Sequence, residues 1–372
     1  MSAKTPEAEQ IVASFEVRLT RYLDATGSVL APLPTFARNL DTLRGLYRAM
    51  VETRAIDRKA VSLQRTGQLG TYASCLGQEA VGTAIGFALR DEDILIPAYR
   101  DYAAQFLRGV PPEVSFLYWA GDERAMAFPA GTPSHHDFPF SVPIATQVPH
   151  AVGVAYAVKL RRQPRVVLAC CGDGATSKGD FYEAVSSARV WNLPLVFLVT
   201  NNQWAISMPR SRQTGAATIA QKAIAGGIPG EQVDGNDVIA TRHVLERALA
   251  AARAGEGPRL IEAITYRLHD HTTADDARRY RSEDEVREAW TRCPVQRLRS
   301  YLLAIGAWDA AQEEALNAVC IDKAESVARA YLALKPEPPE AMFDSLYASL
   351  PSTLAAQRAE VAAAAAREHG RP

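Results

Sequence analysis

Two stretches leave this chain few folds to choose from. "RVVLACC", residues 165–171, and "PLVFLVT", residues 194–200, are apolar nearly throughout. A strand with one wet face alternates apolar and polar residues, whereas a parallel strand covered on both faces reads as one continuous apolar run. Helical spacing over 178–192 separates the two, and the alternation continues on either side. Helices are expected over 146–162, 216–226 and 237–254, and strands near 231–233 and over 258–266. Strands alternating with helices of about 10–15 residues predict an α/β fold, a mostly parallel sheet with helices on both faces.

Upstream, "LDTLRGLYRAMVETRAIDRKAVSLQRT" places Leu43, Leu46, Tyr47, Met50 and Val51 at helical spacing over Leu40–Thr66. A second helix is expected over 77–89, then a short strand over 93–97 that ends at Tyr99–Arg100. Residues 120–145, rich in Gly, Pro and His, read as a long ordered loop. The expected organisation is a helical N-terminal arm over 1–35, loosely attached, an α/β domain over 36–290, and a C-terminal helical extension over 291–372. The chain is expected to be helical from 282 to its end, with the last turns of "RAEVAAAAAREHG" fraying.

A formal net charge of −1, with acids and bases interspersed, gives no reason to expect nucleic acid or an anionic membrane as partner. No apolar run approaches the roughly 18–20 residues that span a bilayer. The N-terminus lacks a signal-peptide core, and its Glu7, Glu9, Glu16 and Asp24 are unlike an acid-poor transit peptide. Cys75, Cys170, Cys171, Cys293 and Cys320 form no CxxC pair and read as reduced thiols, so the expected location is the cytoplasm.

The first strand runs into "GDGATSKGDF", which imitates a nucleotide-phosphate turn. The third glycine of a dinucleotide fingerprint is Ser177, and Asp173 would repel a bare phosphate. A carboxylate beside a pyrophosphate is tolerable when a divalent cation lies between them. The second strand ends in Asn201–Asn202, and adjacent parallel strands bring their C-terminal ends to the same edge. Asp173 and Asn202 could therefore present oxygens to one Mg²⁺, with the amides of Gly174 and Ala175 donating to phosphate. Either half alone is an ordinary turn or loop start; the pair on two apolar strand ends points to a pyrophosphate held through Mg²⁺.

This pattern resembles the thiamine diphosphate motif. The chain around it is similar to the alpha subunit of the decarboxylating component of 2-oxo acid dehydrogenases, nearer the branched-chain than the pyruvate type. The likeness rests on "GTYASCLGQEAVG", "PAYRDY", "SVPIATQVPHAVGVAYAVK", "GDGATSKGDFYEA", "NNQWAIS", "IPGEQVDGNDV", "GEGPRLIEAITYRLHDHTTADDARRYRSEDEV" and "YLLAIGAWD". It implies a thiamine diphosphate-binding fold, with metal ligands at Asp173, Asn202 and the main-chain carbonyl of Trp204. Cofactor contacts are implied at Tyr99, Arg100, Ile144, Gly172, Gly174, Ala175, Ala205 and His271, and a monovalent cation (K⁺) near Ser141, Pro143, Thr146 and Gln147. His271 is the implied catalytic residue, supporting acyl transfer to a lipoyl group, in a loop held by Arg267, Asp275, Tyr280 and Arg281. The implied partners are a beta subunit, in an alpha2-beta2 heterotetramer, and the lipoyl domain of the acyltransferase component. The implied substrate is a branched-chain 2-oxo acid, with pyruvate or acetoin as the alternatives.

The chain also departs from the family pattern. "AMAFPAG" lacks a loop histidine near 126–130, for which His135 or His136 are candidate substitutes. Val142 replaces a serine, Thr200 an arginine and Lys178 a glutamate; Lys178 is a candidate to keep the phosphate site cationic. His150 reads as a packed helix residue, and Arg278 and Arg279 as ordinary loop charges or as site residues. Animal relatives carry a kinase-regulated serine directly after the histidine; Thr272 stands here, which counts against that regulation. A nicotinamide dehydrogenase and a non-catalytic scaffold are the competing readings.

Overall fold

In the computed structural model, which describes residues 11–344 and 346–369, the two apolar runs lie side by side inside a six-stranded, wholly parallel sheet. Its strands are β1 (Leu19–Thr20), β2 (Ile94–Ile96), β3 (Val167–Gly172), β4 (Leu195–Asn201), β7 (Gly230–Asp234) and β8 (Arg259–Ile264), in the order β1-β7-β8-β4-β3-β2. A separate two-stranded hairpin, β5 (Trp204–Ala205) with β6 (Met208–Pro209), follows β4. Alternate residues of the central strands feed opposite cores. Leu168, Cys170, Val196 and Leu198 meet the helices Leu40–Arg65, Glu79–Ala88, Val238–Arg253 and Pro294–Ala304. Val167, Ala169, Cys171, Phe197 and Val199 meet Gln147–Leu160 and Gly179–Val190. Both faces are dry, which is why these strands carry no polar alternation. All five cysteines are buried and unpaired.

Four expectations need correction. The arm is fastened and carries no α-helix over its described residues, because its backbone pairs with the sheet instead: β1 extends the sheet edge in register with β7, and Leu23 is buried. Asp237 Oδ2 accepts the amides of Tyr22 and Leu23, both at 2.7 Å, while its Oδ1 caps Val238–Arg253 through Ile239 and Ala240. Residues 1–10 of the arm, with Glu7 and Glu9, lie outside the described residues. The helix expected over 216–226 shrinks to Lys222–Ala225. Thr218 and Gln221 bond reciprocally to each other's backbone amides, a capping box that sets the start later than 216, and Gly226–Gly227 end it, Gly227 at φ +69°.

Residues 101–119 form two helices the sequence did not suggest, Tyr102–Leu107 and Pro112–Ala120. They pack Tyr102 and Phe116 with Tyr72 and Phe140 in a third core, reached from the far side by Val327 of the helix Ala310–Ala333. After 282 the chain is not continuously helical. Prolines at 336, 338, 339 and 351 interrupt it between Ala333 and the last helix, Ser352–His369, and Gly370–Pro372 lie outside the described residues. The expected long loop over 120–145 is ordered by short turns at Glu123–Met126 and Pro133–His136. Among the described residues no helix is long and apolar enough to cross a membrane.

Candidate active site

β3 and β4 pair with Gly172 opposite Thr200, so Asp173 and Asn202 leave two neighbouring strands at the same edge. Both line one cavity of about 190 Å³. Gly172, Gly174 and Ala175 of the first turn and Trp204 and Ala205 of the hairpin share its wall. Tyr99 and Arg100 enter from beyond β2, Ser141 and Ile144 from the segment before Gln147–Leu160, Gln147 from the first turn of that helix, and His271 from beyond β8. Pro143 and Thr146 are not part of the wall. A wider groove of about 640 Å³, between the region of Leu117–Ala127 and that of Tyr331–Asp344, contains none of these residues.

The wall is chemically unfinished in a way that suits a metal and an anion. Asp173 is 2% exposed, and burial pushes its carboxyl pKa up. No lysine or arginine forms an ion pair with it among the described residues; its side-chain donor is Gln213 Nε2 at 2.7 Å. A buried carboxylate without a cation is unfavourable, and a divalent ion supplies the missing charge. Asn202 Nδ2 is committed to Gln78 Oε1 at 3.2 Å, which turns the carboxamide oxygen the other way, toward Trp204 N at 3.2 Å. Gln78 Nε2, Gln147 Oε1 and Thr200 Oγ1 are buried without partners, and all three residues line this cavity. Groups of that kind in a native wall call for a ligand or solvent. No cluster of three or more His, Cys, Asp or Glu suited to a metal occurs among the described residues.

Close approach fixes the two ligand-bearing segments against each other. A Cβ on Gly174 would lie 2.7 Å from that of Ala205, so only glycine fits. Two non-glycine residues of the cavity wall have positive φ, Ala145 at 66° and Ile206 at 55°. For a β-branched residue such as Ile206 this is a genuine outlier, and strain of this kind gathers at functional sites.

His271 is held by two cations. Its Nδ1 lies 3.3 Å from Arg100 Nη2 and 3.4 Å from Arg267 Nη1, its carbonyl accepts from Arg100 Nη2, and its amide donates to Asp275 Oδ2 at 2.9 Å. Guanidinium groups only donate, so Nδ1 accepts and the proton sits on Nε2. Burial, then the charges of Arg100 and Arg267, hold the imidazole pKa down at about 3. Arg267 is fully buried, donating to the carbonyls of Trp204 and Ile206 and to Tyr280 Oη, and burial with the neighbouring Arg100 charge brings it down to about 10. Arg281 closes the loop by donating to the carbonyls of Arg267 and His269.

A measurable pH effect follows. The folded pKa of His271 lies below its ordinary value of 6.5, so the unfolded chain binds the proton first. The stability this residue contributes is complete above pH 6.5 and is lost as pH falls from there toward 3. His271→Gln should therefore lose less stability than the unmodified chain between about pH 7 and pH 5 in denaturant titrations. Equal losses would contradict this assignment.

Other expected residues fall elsewhere. His136 Nε2 meets Arg165 at 3.4 Å, just before β3 begins, at the end of the sheet opposite Gly172. Neither His135 nor His136 lines the cavity. Lys178 donates to the Ile144 carbonyl at 3.1 Å and pairs with Asp180 at 2.9 Å, outside the wall, whereas Val142 and Thr200 stand in it. His150 is exposed rather than packed and lies outside the wall; Arg278 pairs with Asp276 in solvent.

Sequence reading missed two supports. Asp57, buried in the helix Leu40–Arg65, accepts from Ser74 Oγ at 2.6 Å, Cys75 N at 2.8 Å and Tyr72 Oη at 3.1 Å. It thereby fixes the Ser74 carbonyl that takes Arg100 Nε at 3.0 Å. Gln213, the donor to Asp173, lies forty residues beyond it in a stretch without periodicity. Nothing in the sequence marks either residue, because each acts through a contact distant along the chain.

Comparison with known proteins agrees with this geometry. Residues 47–338 match the model of the family described as dehydrogenase E1 component. The chain is 45% identical over 328 residues, 88% of each chain, to a 3-methyl-2-oxobutanoate dehydrogenase subunit alpha of Mycobacterium tuberculosis. It is 39% identical over 317 residues, 84% of each, to a pyruvate dehydrogenase E1 component subunit alpha of Staphylococcus epidermidis. Against the protein of that same name in Staphylococcus aureus it is 38% identical over 344 residues, 91% of each. With the cavity at the ends of β3 and β4 and a match covering most of its length, the chain belongs to the dehydrogenase E1 component family.

Proposed function

We propose that the protein is the alpha subunit of a thiamine diphosphate-dependent branched-chain 2-oxo acid dehydrogenase. It would act in oxidative decarboxylation of the 2-oxo acid and reductive acylation of a lipoyl group. The observation that carries the reading is the convergence of Asp173, Asn202, Arg100 and His271 on one cavity whose buried carboxylate has no cation. Family membership implies the coenzyme, and the 45% identity to a 3-methyl-2-oxobutanoate dehydrogenase subunit favours a branched-chain substrate over pyruvate.

Asp173, Asn202 and the Trp204 carbonyl would hold Mg²⁺, a hard ion that shares oxygen ligands with phosphates. Arg100 and the amides of Gly174 and Ala175 would donate to the diphosphate. Tyr99, Ile144, Gly172 and Ala205 would shape its seat. Ser141, Pro143, Thr146 and Gln147 would hold K⁺, and the unpartnered Gln147 Oε1 supports that role. When bound, thiamine diphosphate supplies the electron sink that decarboxylation of a 2-oxo acid requires. His271, neutral and protonated on Nε2, is the donor this chain offers to a phosphate or an incoming carbonyl.

Val142, Ile144 and Ile206 in the wall, and Met208 beside Ala205, are 42%, 42%, 53% and 43% exposed. An apolar rim of this kind supports a covering partner, the beta subunit of an alpha2-beta2 heterotetramer, with the lipoyl domain approaching the assembled site. The unpaired thiols support a reducing compartment, the cytoplasm. The isolated chain is expected to be inactive, and mixing it with its beta subunit should give decarboxylation of 3-methyl-2-oxobutanoate faster than of pyruvate. Turnover by the purified alpha chain alone, or a preference for pyruvate or acetoin, would refute the corresponding half of this reading.

A further inference from the structure

The residue nearest to the proposed metal ligand's carboxylate belongs to no motif. Gln213 Nε2 donates to Asp173 Oδ2 at 2.7 Å and to the Met208 carbonyl at 3.1 Å. Both neighbours can only accept, so the amide cannot be reversed without placing its oxygen against two oxygens. The main chain of Gln213 is fixed as well: its amide donates to the Arg210 carbonyl at 3.1 Å, and its carbonyl accepts from Ser177 Oγ at 3.4 Å. Asp173 and Ser177 are the two ends of the single turn Asp173–Ser177, so this one residue grips both ends of it. Arg210 holds the segment beyond by donating to the Ala216 carbonyl at 2.6 Å. Gln213 Oε1 remains buried with no donor.

We infer that Gln213 is the positioning residue of the metal-binding carboxylate, an inference that rests on the functional reading above. Its amide ties down one oxygen of Asp173, fixing the rotation of the carboxylate about its own axis and leaving the other oxygen for the ion. Ligating carboxylates are themselves hydrogen-bonded, and losing such a partner costs about 10–100-fold in metal affinity. The segment 206–216 is thereby coupled to the ion even though its own side chains are not ligands.

The test uses the assembled complex with its beta subunit, thiamine diphosphate at saturation and Mg²⁺ as the titrant, with coenzyme binding followed by calorimetry. Gln213→Met keeps the volume and removes the amide. It should raise the half-saturating Mg²⁺ concentration by about 10–100-fold while coenzyme binding at saturating Mg²⁺ is recovered. A residue that merely packs would lower the melting temperature in EDTA without moving the Mg²⁺ midpoint, and a midpoint within twofold of the unmodified complex overturns the inference. If Gln213→Met fails to assemble, Gln213→Asn keeps the amide but withdraws it by one methylene, and it must give a rise of the same sign. Coenzyme binding by the unmodified complex that is insensitive to Mg²⁺ overturns the functional reading and this inference with it. Mg²⁺-dependent binding with an unmoved variant midpoint sinks the inference alone.

Discussion

Asp173→Asn is expected to lower Mg²⁺-dependent binding of thiamine diphosphate by well over the roughly 10–100-fold that loss of a ligand's supporting hydrogen bond costs, and to abolish activity. Two carboxylates reach the cavity wall, but Asp101 is engaged in its own turn, accepting from Ala98 N at 2.8 Å. Asp173 is thus the one placed beside Asn202, where an ion would meet both strand ends. The same substitution should not weaken the unloaded protein. Burial disfavours the charge of Asp173, and the amide that replaces it needs no counter-ion. The variant should melt in EDTA no lower than the original, while calorimetry across Mg²⁺ concentrations detects no coupled binding. Retention of metal-dependent affinity by the Asn variant would remove Asp173 from the site.

Arg100→Met should have the next largest effect. The guanidinium is 9% exposed and is oriented by the Ser74 carbonyl at 3.0 Å and by the His271 carbonyl. Its charge over the Tyr99 ring, at 4.7 Å from the centroid, keeps it at the cavity. Removing one side of a buried, hydrogen-bonded charge pair costs about 2–5 kcal/mol. Coenzyme affinity should therefore fall by roughly 30- to 5,000-fold. Arg100→Lys should not restore it, because a single ammonium cannot meet both carbonyls and also present two parallel donors to a phosphate. A second readout follows from the charge itself. Arg100 is the largest electrostatic influence holding the His271 pKa down, after burial, so that pKa should rise in the variant when the imidazole resonances are followed by NMR. An unmoved His271 titration would mean that the two residues are not neighbours in solution.

Much of this arrangement was legible in the sequence. The central strands announced themselves because both faces are dry, and their polar ends marked the ligand edge because parallel pairing puts all C-termini on one side. Asp173 and Asn202 could be named since each sits directly after a strand, whereas Arg100, beyond the end of β2, was named through the family resemblance. The arm was misread because a strand of two residues carries no period, and its attachment depends on Asp237, more than two hundred residues away. The helix expected over 216–226 is shorter because its capping box lies at Thr218 and Gln221 and Gly226–Gly227 stop it soon after. Asp57 and Gln213 were invisible for one reason: a hydrogen bond to a residue elsewhere in the chain leaves no trace in local composition.

The margin of the sheet at β2 is shut, and the opposite margin is narrowed to a two-residue edge strand. On one side β1 covers β7; on the other, the outward amide and carbonyl of Leu95 in β2 are taken by Asp137 Oδ1 at 2.8 Å and by Phe138 N at 3.0 Å. Among the described residues a foreign strand therefore finds only the short edge of β1 to pair with, and very short or covered edges discourage such pairing. Assembly through side chains of helices and loops is favoured instead. Such joints are tuned by single substitutions, so the enzyme's choice of companions can drift in evolution while the pleated scaffold under its chemistry stays as it is.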